Sequence, residues 1–254
     1  MVYDIGMAQW QRQRYSVIYK AVTNEVIIVD TFYVRIRKMQ KRLHAWASMV
    51  LKHREEFPCR LVMITLTYKG VDDWRANDIS DFMKNLKQRL DKKLLAFAWV
   101  AEMQKRGAVH YHVILLTLKG ARIPKPDKSS LWTHGNSRIE TARTPFYVLT
   151  YTGKEYQKDL SKYPKGCWLY ACSIRWGSED DKALFRILAG LDVVGDAEGV
   201  IAEMGEGVVE PVPKTWDEKF VYVGSAVTES YAREILVPRG AQILEKKIAK
   251  KKVR

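Results

Sequence analysis

Trp99-Val100-Ala101-Glu102-Met103-Gln104-Lys105-Arg106-Gly107-Ala108-Val109-His110-Tyr111-His112-Val113-Ile114-Leu115-Leu116 is the stretch that decides the fold. Its two ends pair as a β-hairpin around Arg106-Gly107, with Trp99–Glu102 against Val109–Leu116. His110 and His112 are two residues apart, so on a strand they project from one face. In this register Glu102 falls opposite His110, and opposite residues share a face with Cβ atoms roughly 5 Å apart. Glu102, His110 and His112 therefore converge on one point as candidate metal ligands. Two imidazoles and one carboxylate suit a moderately hard divalent cation, Mn2+ or Mg2+, with positions left open for water or an oxygen ligand. A surface hairpin with incidental histidines is the plainer reading, and the register-matched Glu102 outweighs it.

Working outward, Glu25–Val34 is rich in Val and Ile and reads as a strand. Arg35–Lys52 carries Ile36, Met39, Leu43, Trp46, Ala47 and Val50 at helical spacing, so it reads as an amphipathic helix. Arg60–Tyr68 reads as a central strand. Asp78 is expected to cap the next helix, with Ile79, Phe82, Met83, Leu86, Leu90 and Leu94 along one side. Lys119–Ser130 has turn chemistry throughout. Leu131–Gly135 reads as a short strand entering a turn, and Cys167–Trp176 as the last strand before the composition changes. The expected fold class is α+β, a central antiparallel sheet flanked by helices. The domain expectation is 1–177 as one domain with an N-terminal strand-helix extension, and 178–254 as an accessory region ending in a basic tail.

Tyr147, Tyr151 and Lys154 stand at i, i+4 and i+7, one stripe of a helix whose first turn Pro145 fits. A free tyrosine has a pKa of about 10 and is a poor nucleophile at neutral pH. A cation and a lysine beside it favour the phenolate. Taken alone, the same pattern is more often core packing; next to a metal hairpin the catalytic reading gains.

The formal net charge is +14 with a pI near 9.6. The stretch Ser178–Glu218 has 3 basic and 11 acidic residues, so the rest of the chain carries +22. Such an excess is the electrostatic footprint of a nucleic-acid binder. No apolar stretch is long enough to span a bilayer and no cleavable signal is visible, so the expected location is cytoplasmic. Cys59, Cys167 and Cys172 lack C-x-x-C spacing and indicate neither zinc nor a disulfide framework. Nor is there a G-x-x-x-x-G-K-[ST] run to suggest a fused ATP-driven helicase.

Met63-Ile64-Thr65-Leu66-Thr67-Tyr68, the His110-Tyr111-His112 hairpin and Tyr147…Tyr151…Lys154 resemble, in order and spacing, the three motifs of the HUH endonucleases. Among these the chain is most similar to two-tyrosine rolling-circle replication initiators (Rep proteins) of bacterial plasmids and single-stranded DNA phages. Leu131–Gly135 and Tyr163-Pro164-Lys165-Gly166 resemble connecting motifs of the same group, and the likeness runs from about Arg60 to Trp176. One departure is Thr150, where relatives often have lysine, which leaves Tyr147's role less secure than that of Tyr151. The resemblance implies metal-dependent nicking and rejoining of single-stranded or locally melted origin DNA in a bacterial host cell. Tyr151 would be the first nucleophile, Tyr147 the second, and Lys154 the charge stabiliser. Host helicase and DNA polymerase would act as partners. Thr65 and Thr67 either line the site or serve the core strand, and His134 either contacts DNA or bonds to backbone. Two rivals stay open. A two-histidine, one-carboxylate site also suits a non-haem iron enzyme, which leaves the tyrosines and the charge unexplained. A DNA module without catalysis would bind origin DNA uncut.

Overall fold

The computed structural model describes residues 14–20, 25–56, 58–156, 163–175, 220–226 and 229–238. The chain divides into two compact units, one of Met1–Arg35 with Val194–Arg254 and one of Ile36–Val193. The expected boundary at 177/178 and the basic tail lie outside the described residues.

The first unit holds a three-stranded antiparallel sheet. Its middle strand β1 (Tyr15–Lys20) pairs with β2 (Glu25–Asp30) on one side and with the C-terminal strand β8 (Phe220–Ala226) on the other. Val17, Ala232 and Leu236 form its buried cluster. The N-terminal strand is therefore no extension of the main sheet. Helix α1 (Thr31–His53) also starts four residues earlier than the apolar spacing predicts. The reason is a cap: Asp30 Oδ1 accepts the backbone N–H groups of Phe32 (3.0 Å) and Tyr33 (3.1 Å), donors that a helix start leaves without partners.

The second unit is built on a five-stranded sheet. In chain order come β3 (Cys59–Tyr68), helix α2 (Asp78–Leu90), β4 (Leu94–Met103), β5 (Val109–Leu118), β6 (Gly135–Thr141), helix α3 (Tyr147–Tyr156) and β7 (Tyr170–Ile174). The spatial order is β6-β3-β5-β4-β7, antiparallel throughout. This is the expected α+β class. The strands β3, β4 and β5 are buried along almost their whole length, because helices cover both faces. On one face α2 sets Phe82 against Trp132 and the Lys87 ammonium over the Phe97 ring. On the other, α1 donates from Trp46 Nε1 to Ser173 O (3.1 Å), and its His44 meets Phe146, just ahead of α3, edge-on.

Local details differ from expectation in two places. The residue capping α2 is Asn77, without a side-chain bond. Asp78 is instead buried, and its Oδ2 accepts from Tyr68 Oη (2.9 Å) and from the Arg75 backbone N–H (3.1 Å). The strand after the Lys119–Ser130 loop is Gly135–Thr141 rather than Leu131–Gly135. It begins at a glycine for a steric reason. A Cβ on Gly135 would fall on the Thr67 carbonyl oxygen and lie 2.7 Å from Lys69 N. Gly135→Ala therefore forces backbone apart where β6 joins β3. Its expected cost is more than ~3 kcal/mol, read as a lowered urea midpoint; an unchanged midpoint would contradict this packing.

Candidate metal centre

The hairpin forms in the predicted register: Glu102 pairs with His110, and Gly107 supplies the turn at φ +90. Glu102, His110 and His112 offer ligand atoms that all lie within 4.8 Å of one another. His112 Nε2 donates to Glu102 Oε2 at 2.8 Å. Across the sheet, Thr65 pairs with His112 and Thr67 with His110, so both hydroxyls share the face of the rings. Thr65 Oγ1 lies 3.4 Å from His112 Nδ1, and Thr67 Oγ1 lies 2.8 Å from His110 Nε2. The two threonines thus orient the imidazoles, a role that supporting residues commonly play around metal-ligating histidines.

Two supporting residues carry no sequence motif. Gln104 Nε2 reaches His110 Nδ1 at 3.4 Å. Arg106 donates from Nε to Gln104 Oε1 (2.9 Å), from Nη1 to Lys69 O (2.9 Å) and from Nη2 to Tyr68 O. The hairpin tip is thereby tied to the end of β3, and the His110 ring is held from both sides. Only a polar turn could have hinted at this in the sequence.

His110 is pushed down to about 4 by burial, with the neighbouring His112 and Arg106 adding and Glu102 opposing. At neutral pH the ring is neutral, the form that donates a lone pair to a metal. A histidine with a folded pKa below its ordinary 6.5 stabilises the fold fully above that value. The contribution is lost as pH falls towards 4, because the unfolded chain takes up a proton that the fold resists. In chelator, the wild type should lose urea stability between pH 7 and pH 4.5 more steeply than His110→Gln; equal slopes would rule out the His110 contribution.

The tyrosine helix packs on this face. The Tyr151 ring stacks on His112 with centroids 3.5 Å apart and planes at 11°. Tyr151 is 8% exposed, and its Oη points to Met63 Sδ at 3.8 Å. Tyr147 meets Tyr151 edge-on at 5.6 Å and is 42% exposed. The Tyr151 phenol is raised above its ordinary range by burial first, then by its hydrogen bond with Tyr147 and the Glu102 and Glu140 carboxylates. Lys154 lies in α3 one turn beyond Tyr151; its side chain lies outside the described residues. Pro145 falls in the turn leading into the helix, where Thr144 Oγ1 accepts from the Phe146 N–H at 3.3 Å.

His134 is elsewhere: its backbone oxygen accepts from Lys69 N, and its Nε2 faces Asp78 Oδ1 at 3.6 Å. His53 pairs with Glu56 (2.7 Å) and His44 lies beside Ser48, so neither joins the site. The three cysteines carry free thiols.

The donor set fits a divalent cation. Three ligands on one side of a sheet leave coordination positions open, and both rings are held by hydroxyls. No helix among the described residues is long and apolar enough to cross a membrane. No curated protein matches the chain. Over residues 61–159, which run from β3 through α3 and include the whole cluster, the chain is similar to the ORF2 family of replication-associated proteins.

Proposed function

We propose that the protein is a replication initiator that nicks and rejoins one DNA strand through a covalent tyrosine intermediate. The observation that carries this reading is the stacking of Tyr151 on His112, a member of the Glu102-His110-His112 cluster. The similarity to replication-associated proteins and the basic charge agree with it. The three side chains would hold Mn2+ or Mg2+, which when bound supplies Lewis-acid polarisation of the scissile phosphate.

The chain's own residues do the rest. The Tyr151 oxygen attacks phosphorus in line, the P–O3′ bond breaks, and the phenolic proton is balanced by one taken up on the departing 3′ oxygen. The products are a 5′-phosphotyrosyl DNA and a free 3′ hydroxyl. The ester keeps the energy of the broken bond, so rejoining needs no ATP. Neutralising the Glu102 carboxylate removes one of the charges that hold the phenol protonated. Lys154 stabilises charge developing on the phosphate or the tyrosine oxygen. Tyr147, more exposed and one turn away, serves as the second nucleophile that closes the displaced strand after synthesis by host enzymes.

The test is a labelled pool of single-stranded DNA incubated with the protein and Mn2+, then run on a denaturing gel. A protein–DNA band that survives denaturation and disappears with chelator is the expected result. Binding without such a band would favour a DNA module that has no cleavage chemistry.

A further inference from the structure

We infer that Trp168 is a stacking platform for a base of the single strand that crosses the metal centre, a proposal that rests on the single-stranded DNA reading above. Trp168 is 70% exposed, and large aromatic rings are seldom left so open without use. Its position gives the use. Strands β4 and β7 pair with Val100 opposite Tyr170, and the Ala101 N–H donates to Leu169 O at 2.7 Å. Continuing that register sets Trp168 across from Glu102, about 4.8 Å away in the sheet and on the same face.

The row then runs through all five strand positions as Asn136, Thr67, His110, Glu102 and Trp168. Asn136 also lines a cleft of about 680 Å³ with Lys69, Arg75 and His134. Cationic side chains thus stand at one end of the row and an open aromatic ring at the other. A single-stranded nucleic acid asks for this combination: cations for the phosphates and a flat ring for a base, without preference for its identity. The exposed Lys165 precedes Trp168 by three residues, adding positive charge at the aromatic end.

The Trp168 segment is held firmly. Met103 N donates to Tyr163 Oη at 3.0 Å, and Cys167 N to Pro164 O at 3.0 Å. Gly166 takes φ +82, a turn conformation that glycine adopts without strain. A ring presented on a fixed segment loses little freedom on stacking.

The test is the affinity of the full chain for a fluorescent pool of single-stranded DNA, measured in chelator so that no strand is cut. Trp168→Ala should weaken binding about tenfold, while Trp168→Phe keeps most of the affinity. Both variants should keep the wild-type thermal midpoint, since the ring is exposed. Wild-type affinity in Trp168→Ala overturns the proposal, as does a changed oligomeric state with unchanged DNA affinity, which would make Trp168 a protein contact. The underlying reading fails separately. A wild type that binds the pool but forms no adduct with Mn2+ refutes cleavage and leaves the Trp168 comparison standing. A wild type that binds no single strand refutes both.

Discussion

Glu102→Gln should keep the fold and abolish Mn2+-dependent strand cleavage. The amide has the volume of the carboxylate, so packing around β4 and β5 is preserved. What is lost is the negative charge between two neutral imidazoles, and with it one of three ligands. Loss of supporting residues alone costs such sites about 10- to 100-fold in metal affinity, so loss of a ligand should exceed about 100-fold. Calorimetry with Mn2+ measures this directly. Wild-type binding should release protons and weaken in acid, because the cation must displace the proton that His112 shares with Glu102. Unchanged Mn2+ affinity in Glu102→Gln would remove the cluster from the account.

Tyr151→Phe should eliminate the covalent adduct while the protein remains folded. The ring that stacks on His112 stays, and only the hydroxyl beside Met63 is removed. Stability should change by no more than ~1 kcal/mol, the net worth of an ordinary hydrogen bond. The adduct should fall below detection, since among the described side chains of α3 Tyr151 is the phenol stacked on the cluster. Tyr147→Phe is expected to differ. First cleavage persists, with a smaller effect through the lost hydrogen bond to Tyr151, while strand closure after synthesis is lost. A gel following nicking and circularisation separately distinguishes the two variants. Full adduct in Tyr151→Phe would reverse the assignment of the phenols.

The hairpin and its register are legible in the sequence because the period of two is strict on both sides of a glycine turn. Glu102 opposite His110 then needs no tertiary information. The α3 helix is legible too, from Pro145 and the i, i+4 spacing. Strand β6 is not: Asn136–Thr141 is polar and forms a sheet edge, half open to solvent, so it carries no apolar alternation. The pairing of β1 with β8 joins segments about two hundred residues apart, and such contacts leave no local trace. The start of α1 is hidden because Asp30 reads as a strand residue until its bonds to Phe32 and Tyr33 are seen. Within the candidate site, the ligand set is written in the hairpin. The clamp of Arg106 and Gln104 on His110 depends on where β3 ends, and Trp168 depends on which strand joins β4. Both are products of the assembled sheet.

The most direct measurement is peptide mass mapping of the protein after reaction with single-stranded DNA and Mn2+, followed by nuclease trimming. A nucleotide phosphate on Tyr151, lost when chelator replaces the metal, is the predicted result. No added mass, or a nucleotide carried by a residue outside α3, would contradict the account.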